Sequence, residues 1–222
     1  MNSNTTTPPI KRVLVLTAVL LVVSITILLS INPISQDPAY HNFADTRRVT
    51  LLPNAWNILS NLPFLIIGGY GFVYCTKNRQ LYAPQSWPVF FAGIGLVAVG
   101  SAYYHWAPNN TSLVWDRIPM TIAFMALFVA LLSEAINTQI EKLYLIPALA
   151  VGVFSVIYWR LSGDLRFYGL IQFFPLMVIP IFSWFIPTKY THRIYLLYGL
   201  GFYASAKIFE LYEPLAKHSA FK

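Results

Sequence analysis

The chain has 222 residues, 57% of them hydrophobic and only 10% charged. Soluble domains carry about a quarter charged residues, so this chain has too few to cover a water-facing surface, and they fall between long apolar runs. Its 15 Lys and Arg against 8 Asp and Glu leave a formal net charge of +7. Spread over short connections, these basic residues suit membrane topology and anionic headgroups, and nucleic acid is set aside as a partner. The single cysteine, Cys75, excludes an internal disulfide and any multi-cysteine zinc site.

A spanning helix needs about 20 mostly apolar residues. The first such run, Val13 to Ile31, follows Lys11 and Arg12. It exceeds the roughly 7–15 apolar residues of a secretory signal, and no small-residue cleavage site follows it closely, so it reads as an uncleaved anchor. Six further runs follow: Ala55 to Val73, Trp87 to Trp106, Trp115 to Ile136, Leu143 to Trp159, Phe167 to Ile186 and Ile194 to Tyr212. Pro119, Pro147, Pro175 and Pro180 sit within or near the ends of these runs, which bundles tolerate because neighbouring helices satisfy the freed carbonyls. The expectation is an all-α fold, a polytopic transmembrane helix bundle of about seven spans. With no repeat and no soluble domain, 1–222 reads as a single integral membrane domain. The basic flank of the first run favours an inside N-terminus.

An ionisable group within a span costs about 2.5–3.5 kcal/mol at mid-helix and is a functional candidate by default. The densest cluster joins the third and fourth runs. Ser101 and His105 are spaced i,i+4 and face the same way. A Pro-Asn-Asn turn then reverses the chain, and Asp116, read as opening the next helix, returns to the level of His105. Three readings of this trio are open. His105 is an interfacial histidine beside Trp106 with Asp116 as a helix cap. Alternatively Ser101 is a nucleophile with His105 as its base, although i,i+4 proximity supplies no oxyanion hole. In the third, His105 ligates a metal, with Ser101 and Asp116 as outer partners of the metal-bound water.

Other polar positions are less specific. Asn57, Ser60 and Asn61 form a helical patch suited to hydrogen bonds between helices. Lys207 and Glu210, at i and i+3, can neutralise each other within the bundle. The segment from His41 to Arg47 reads as a lid or as a solvated loop. Asn109 and Asn110 match glycosylation acceptors by pattern but lie close to the membrane.

The spacing Ser101-x-x-x-His105, followed eleven residues later by Asp116 in Asp-Arg-Ile-Pro-Met, resembles the alkaline ceramidase family. That family belongs to a superfamily of membrane hydrolases that includes the progestin and adiponectin receptors. Trp56-Asn57-x-x-Ser60-Asn61 is similar to its first core helix. His41-x-Phe43-Ala44-Asp45-x-Arg47 and Ala206-Lys207-x-x-Glu210 are similar to bacterial members, and the likeness runs from about Tyr40 to Glu210. The resemblance implies a zinc-dependent hydrolase acting on a linear amide C–N bond, that of ceramide or a related lipid amide, in the bacterial inner membrane. It implies zinc held by three histidines, the first matching His105, while Ser101 and Asp116 match residues that position the zinc-bound water or stabilise the oxyanion. Zinc lowers the pKa of such a water to about 7 and polarises the amide carbonyl.

The family's other two histidines lie in a His-x-x-x-His arrangement on a final helix beyond Ala-Lys-x-x-Glu. Here that position offers only Ala216 to Lys222, and the remaining histidines are His41, His192 and His218. Of these, His218 can supply one ligand and His41 a third. The resemblance therefore implies an added anchor helix at 13–31 and a ceramidase-like core at 55–212 with six of its seven helices. It also implies an incomplete metal site and impaired catalysis. The alternative is a non-catalytic lipid-binding or receptor-like membrane protein.

Overall fold

The computed structural model of the chain describes residues 8–43, 45–78, 83–185 and 194–220, and of residues 8–9 and 211–220 only the backbone. Helix α1 spans Pro8–Ser30, and a 3₁₀ turn, Pro38–His41, lies in the connection after it. Then come α2 (Ala55–Leu59), α3 (Leu62–Lys77), α4 (Ser86–Trp106), α5 (Asn110–Ala135), α6 (Gln139–Ser162), α7 (Arg166–Phe185) and α8 (Ile194–Ala220). Among the described residues there is no strand beyond one isolated bridge, Val49 with Leu52. The fold is the all-α bundle that the apolar runs predict.

Six stretches are long and apolar enough to cross a membrane: α1, α2 with α3, α4, α5, α6 and α7. The seventh run forms the 27-residue α8, whose apolar character is diluted by glycines, tyrosines and the Lys207–Glu210 pair. The run from Ala55 is broken where Ser60 donates to the Asn57 carbonyl at 2.9 Å and the Asn61 amide donates to the same carbonyl at 2.8 Å. This corrects the expectation for the polar patch. Ser60 and Asn61 bond back within their own turn, and only Asn57 reaches out, donating to the Asp45 carbonyl at 3.1 Å.

Helix α5 is central and packs on α4, α6 and α7, with α3 outside α4, and α1 and α8 against α7. Small residues let the backbones meet. At Gly68 a Cβ would fall 2.3 Å from the Gly95 nitrogen, so only glycine allows α3 this close to α4.

Polar side chains close the two ends of the bundle. At one end Glu141, 1% exposed, accepts from the Ser86 and Gln85 amides, each at 3.0 Å, and from the Ser86 hydroxyl at 3.1 Å. A carboxylate there satisfies the free N–H groups that open α4. Glu141→Ala leaves three donors without an acceptor and is expected to cost about 2–3 kcal/mol, read as a lower midpoint of unfolding in detergent. Glu141→Gln, which keeps an acceptor oxygen, should recover part of the loss.

At the other end the connection from Ile31 to Asn54 is tied across the bundle. Arg166 donates to the Leu28 and Ile31 carbonyls at 3.0 and 2.7 Å, capping the C-terminus of α1. It also pairs with the buried Asp164 at 2.8 Å. The Arg166 guanidinium holds the Asp164 carboxyl below the usual carboxylate range, helped by the Arg166 and Ile34 amides. Its stabilising contribution is therefore present above the unfolded carboxylate value of about 4 and is lost as pH falls through the lower folded value. Melting curves between pH 6 and 3 should show a steeper acid loss for the wild type than for Asp164→Asn.

Candidate active site

The connection between α4 and α5 is short and fixed by a capping box. The Asn109 side chain accepts from the Thr111 and Ser112 amides at 2.8 and 3.0 Å, and the Ser112 hydroxyl accepts from the Asn109 amide at 3.2 Å. Helix α5 thus opens at Asn110, and Asp116 lies inside it, two turns on. The reading of Asp116 as a helix cap is overturned: an amide with two acceptor-seeking neighbours occupies that role.

Two residues then set how closely α4 and α5 approach. Pro119 has no N–H, so the Trp115 carbonyl loses its i+4 donor. Gly100 lies against that carbonyl, where a Cβ would sit 2.0 Å from the oxygen and 3.2 Å from the Asp116 Cα. Asp116 is thereby level with Gly100 and Ser101, a full turn from His105. Ser101, 8% exposed, lies close to the Asp116 carboxylate.

His105 lies one turn nearer the helix end. Its ring packs on Phe43 with centroids 4.5 Å apart, and its backbone carbonyl accepts from the Asn54 side chain at 2.8 Å. Its Nδ1 is buried without a hydrogen-bond partner. The structure therefore brings Ser101 and Asp116 together and leaves His105 beside them. No hydrogen bond joins the Ser101 hydroxyl to a histidine among the described residues.

Beyond Asp116 opens a cavity of about 820 Å³ between α1, α5, α7 and α8. Ile27, Leu28, Phe173 and Met177 line its apolar part, and Asp116, Arg117, Tyr40, Lys207 and Glu210 gather at its polar part. Neither Ser101 nor His105 lines it. Lys207 pairs with Glu210 at 2.6 Å, as their spacing predicts, and Glu210 also accepts from the Tyr40 hydroxyl at 3.0 Å. Burial, with the Glu210 charge beside it, pushes the Tyr40 phenol well above its ordinary value, so it stays a hydrogen-bond donor at neutral pH.

Of the other histidines, His41 is already engaged at both ring nitrogens, Nδ1 with the Tyr104 hydroxyl at 2.9 Å and Nε2 with the Asn110 side-chain oxygen at 3.0 Å. His192 and the side chain of His218 lie outside the described residues. Among the described residues no three His, Cys, Asp or Glu side chains gather as metal donors.

A family model described as Ceramidase matches residues 41–209. The chain belongs to the ceramidase family. No curated protein and no solved structure matches it. In this ceramidase-family chain the matched region holds Ser101, His105 and Asp116, and α1 precedes it, although α1 forms part of the cavity wall.

Sequence reasoning passed over three side chains at this site. Arg117 stands in the quoted Asp-Arg-Ile-Pro-Met motif and is a cation within an apolar run, itself a signal of function. Tyr40 and Gln36 carry no such signal, because only the return of the connection over the bundle end brings them to the cavity.

Proposed function

We propose that this ceramidase-family protein is a membrane hydrolase that cleaves the C–N bond of ceramide or a related lipid amide. The observation that carries the reading is a carboxylate, Asp116, close to Ser101 and at the polar part of a largely apolar cavity. An acyl chain suits the apolar walls between α1 and α7, which puts the amide beside Asp116. Asp116 then takes a proton from a water as its oxygen attacks the amide carbon. The C–N bond breaks, and the same proton passes to the leaving nitrogen, giving a fatty acid and an amine. Such acid–base help contributes about 10²–10⁴-fold. Ser101 does not reach the cavity, so it acts through Asp116 as a positioning residue.

Zinc is the cofactor that family membership suggests, and when bound it would supply Lewis acidity. Among the described residues, the unpartnered Nδ1 of His105 suits a ligand role. A catalytic zinc needs about three protein ligands, and the described residues do not gather them. The fit is therefore incomplete, and no step here passes through the metal.

Metal content and hydrolysis of a long-chain N-acyl amide by the purified protein test both parts. Zinc at one per chain, lost in His105→Ala, supports the ligand role of His105. Turnover without zinc supports acid–base chemistry by Asp116 alone. Absence of turnover in metal-loaded and metal-free protein overturns the hydrolase reading.

A further inference from the structure

Arg117 is a cation buried within the bundle, 6% exposed. Its guanidinium lies 4.0 Å from the Trp159 ring centroid, 4.6 Å from that of Tyr168 and 5.9 Å from that of Tyr40. Its Nη2 donates to the Gln36 side-chain oxygen at 2.6 Å. Stacking and this bond fix the plane of the guanidinium, as buried arginines require. Nη1, in contrast, is buried and has no hydrogen-bond partner, and Arg117 lines the cavity. Leaving a charged donor unmade costs more than a neutral one, so a ligand oxygen brought to this nitrogen by a small shift of the guanidinium gains a strong bond.

The charges around it decide which acceptor. Lys207 is paired with Glu210 and Arg166 with Asp164, and Asp116 is close enough to Arg117 to feel its charge. Asp37 adds a further carboxylate to the lining. Among the described residues the cavity has no surplus cation, and an anion would meet Asp116 and Glu210. A neutral oxygen fits.

We propose that Arg117 is a substrate-positioning residue whose Nη1 donates to a neutral carbonyl oxygen on the headgroup of a lipid lying between α1 and α7. This rests on the lipid-amide reading above and adds the group that holds the carbonyl. It also makes α1, which precedes the family-matched region, a wall of the binding site: Ser24, Ile27 and Leu28 face the chain.

Binding to the purified protein in detergent tests this without any turnover. The probes are a long-chain N-acyl amide, the thioamide of the same shape, whose sulfur accepts hydrogen bonds poorly, and the free fatty acid of the same length. Hydrogen bonds to charged groups contribute roughly tenfold to a hundredfold in affinity. The amide is expected to bind about fivefold or more tightly than the thioamide, and Arg117→Gln to reduce that ratio to near one. Arg117→Gln also takes the cation out of its aromatic cage, so the wild-type ratio is decisive on its own. Equal binding of amide and thioamide by the wild type overturns the proposal, and so does tighter binding of the fatty acid than of the amide. Selective binding without hydrolysis would leave the role of Arg117 standing while removing the hydrolase reading.

Discussion

Asp116→Asn is expected to lower fatty acid release from a long-chain N-acyl amide by about 10²–10⁴-fold while changing the melting temperature little. The asparagine has nearly the same shape and keeps an oxygen for the Ser101 side chain, so the packing of α4 on α5 survives. What it loses is the capacity to take a proton from water, which is the contribution assigned to general base catalysis. Ser101→Ala separates positioning from chemistry. A positioning role predicts a loss of about tenfold, since one hydrogen bond to a charged group is removed. A nucleophilic serine would predict a loss as large as that of Asp116→Asn. Steady-state release measured by mass spectrometry distinguishes the two.

Gly100→Val is expected to be the most damaging single substitution at the α4–α5 contact. Even the first added carbon would lie 2.0 Å from the Trp115 oxygen, a backbone atom that cannot turn aside as a side-chain tip would. Overpacking typically costs about 1–3 kcal/mol, occasionally more, and here the two helices must separate to make room. Separation pulls Ser101 away from Asp116, so activity should fall together with the unfolding midpoint. Gly69→Val is the control, because a Cβ at Gly69 meets nothing within 4 Å. That substitution should leave both readings close to the wild type.

Hydropathy made the bundle legible because nearly every span is a long apolar run, and the motif spacing singled out Ser101, His105 and Asp116 as one trio centred on His105. The level at which they meet was not legible. The apolar run opens at Trp115, but the helix opens five residues earlier, since Asn110, Thr111 and Ser112 are polar residues drawn into its first turn by the Asn109 cap. That shift moves Asp116 from the helix start to its second turn and from His105 to Ser101. The pair Lys207 and Glu210 was legible from its spacing alone. The bonds of Tyr40 with Glu210 and of Gln36 with Arg117 join residues 170 and 81 positions apart, and no local pattern records them. The break after Leu59 was hidden for a different reason. Asn57, Ser60 and Asn61 look like a face for a neighbouring helix, but Ser60 and Asn61 turn back to the Asn57 carbonyl where α2 ends.

The most direct measurement is hydrolysis of a long-chain N-acyl amide by the purified protein in ¹⁸O-labelled water, with both products weighed by mass spectrometry. The account predicts equal amounts of free amine and fatty acid, the acid carrying one heavy oxygen, and neither product above background with Asp116→Asn. Unlabelled fatty acid, or labelled acid released as fast by Asp116→Asn as by the wild type, would contradict it.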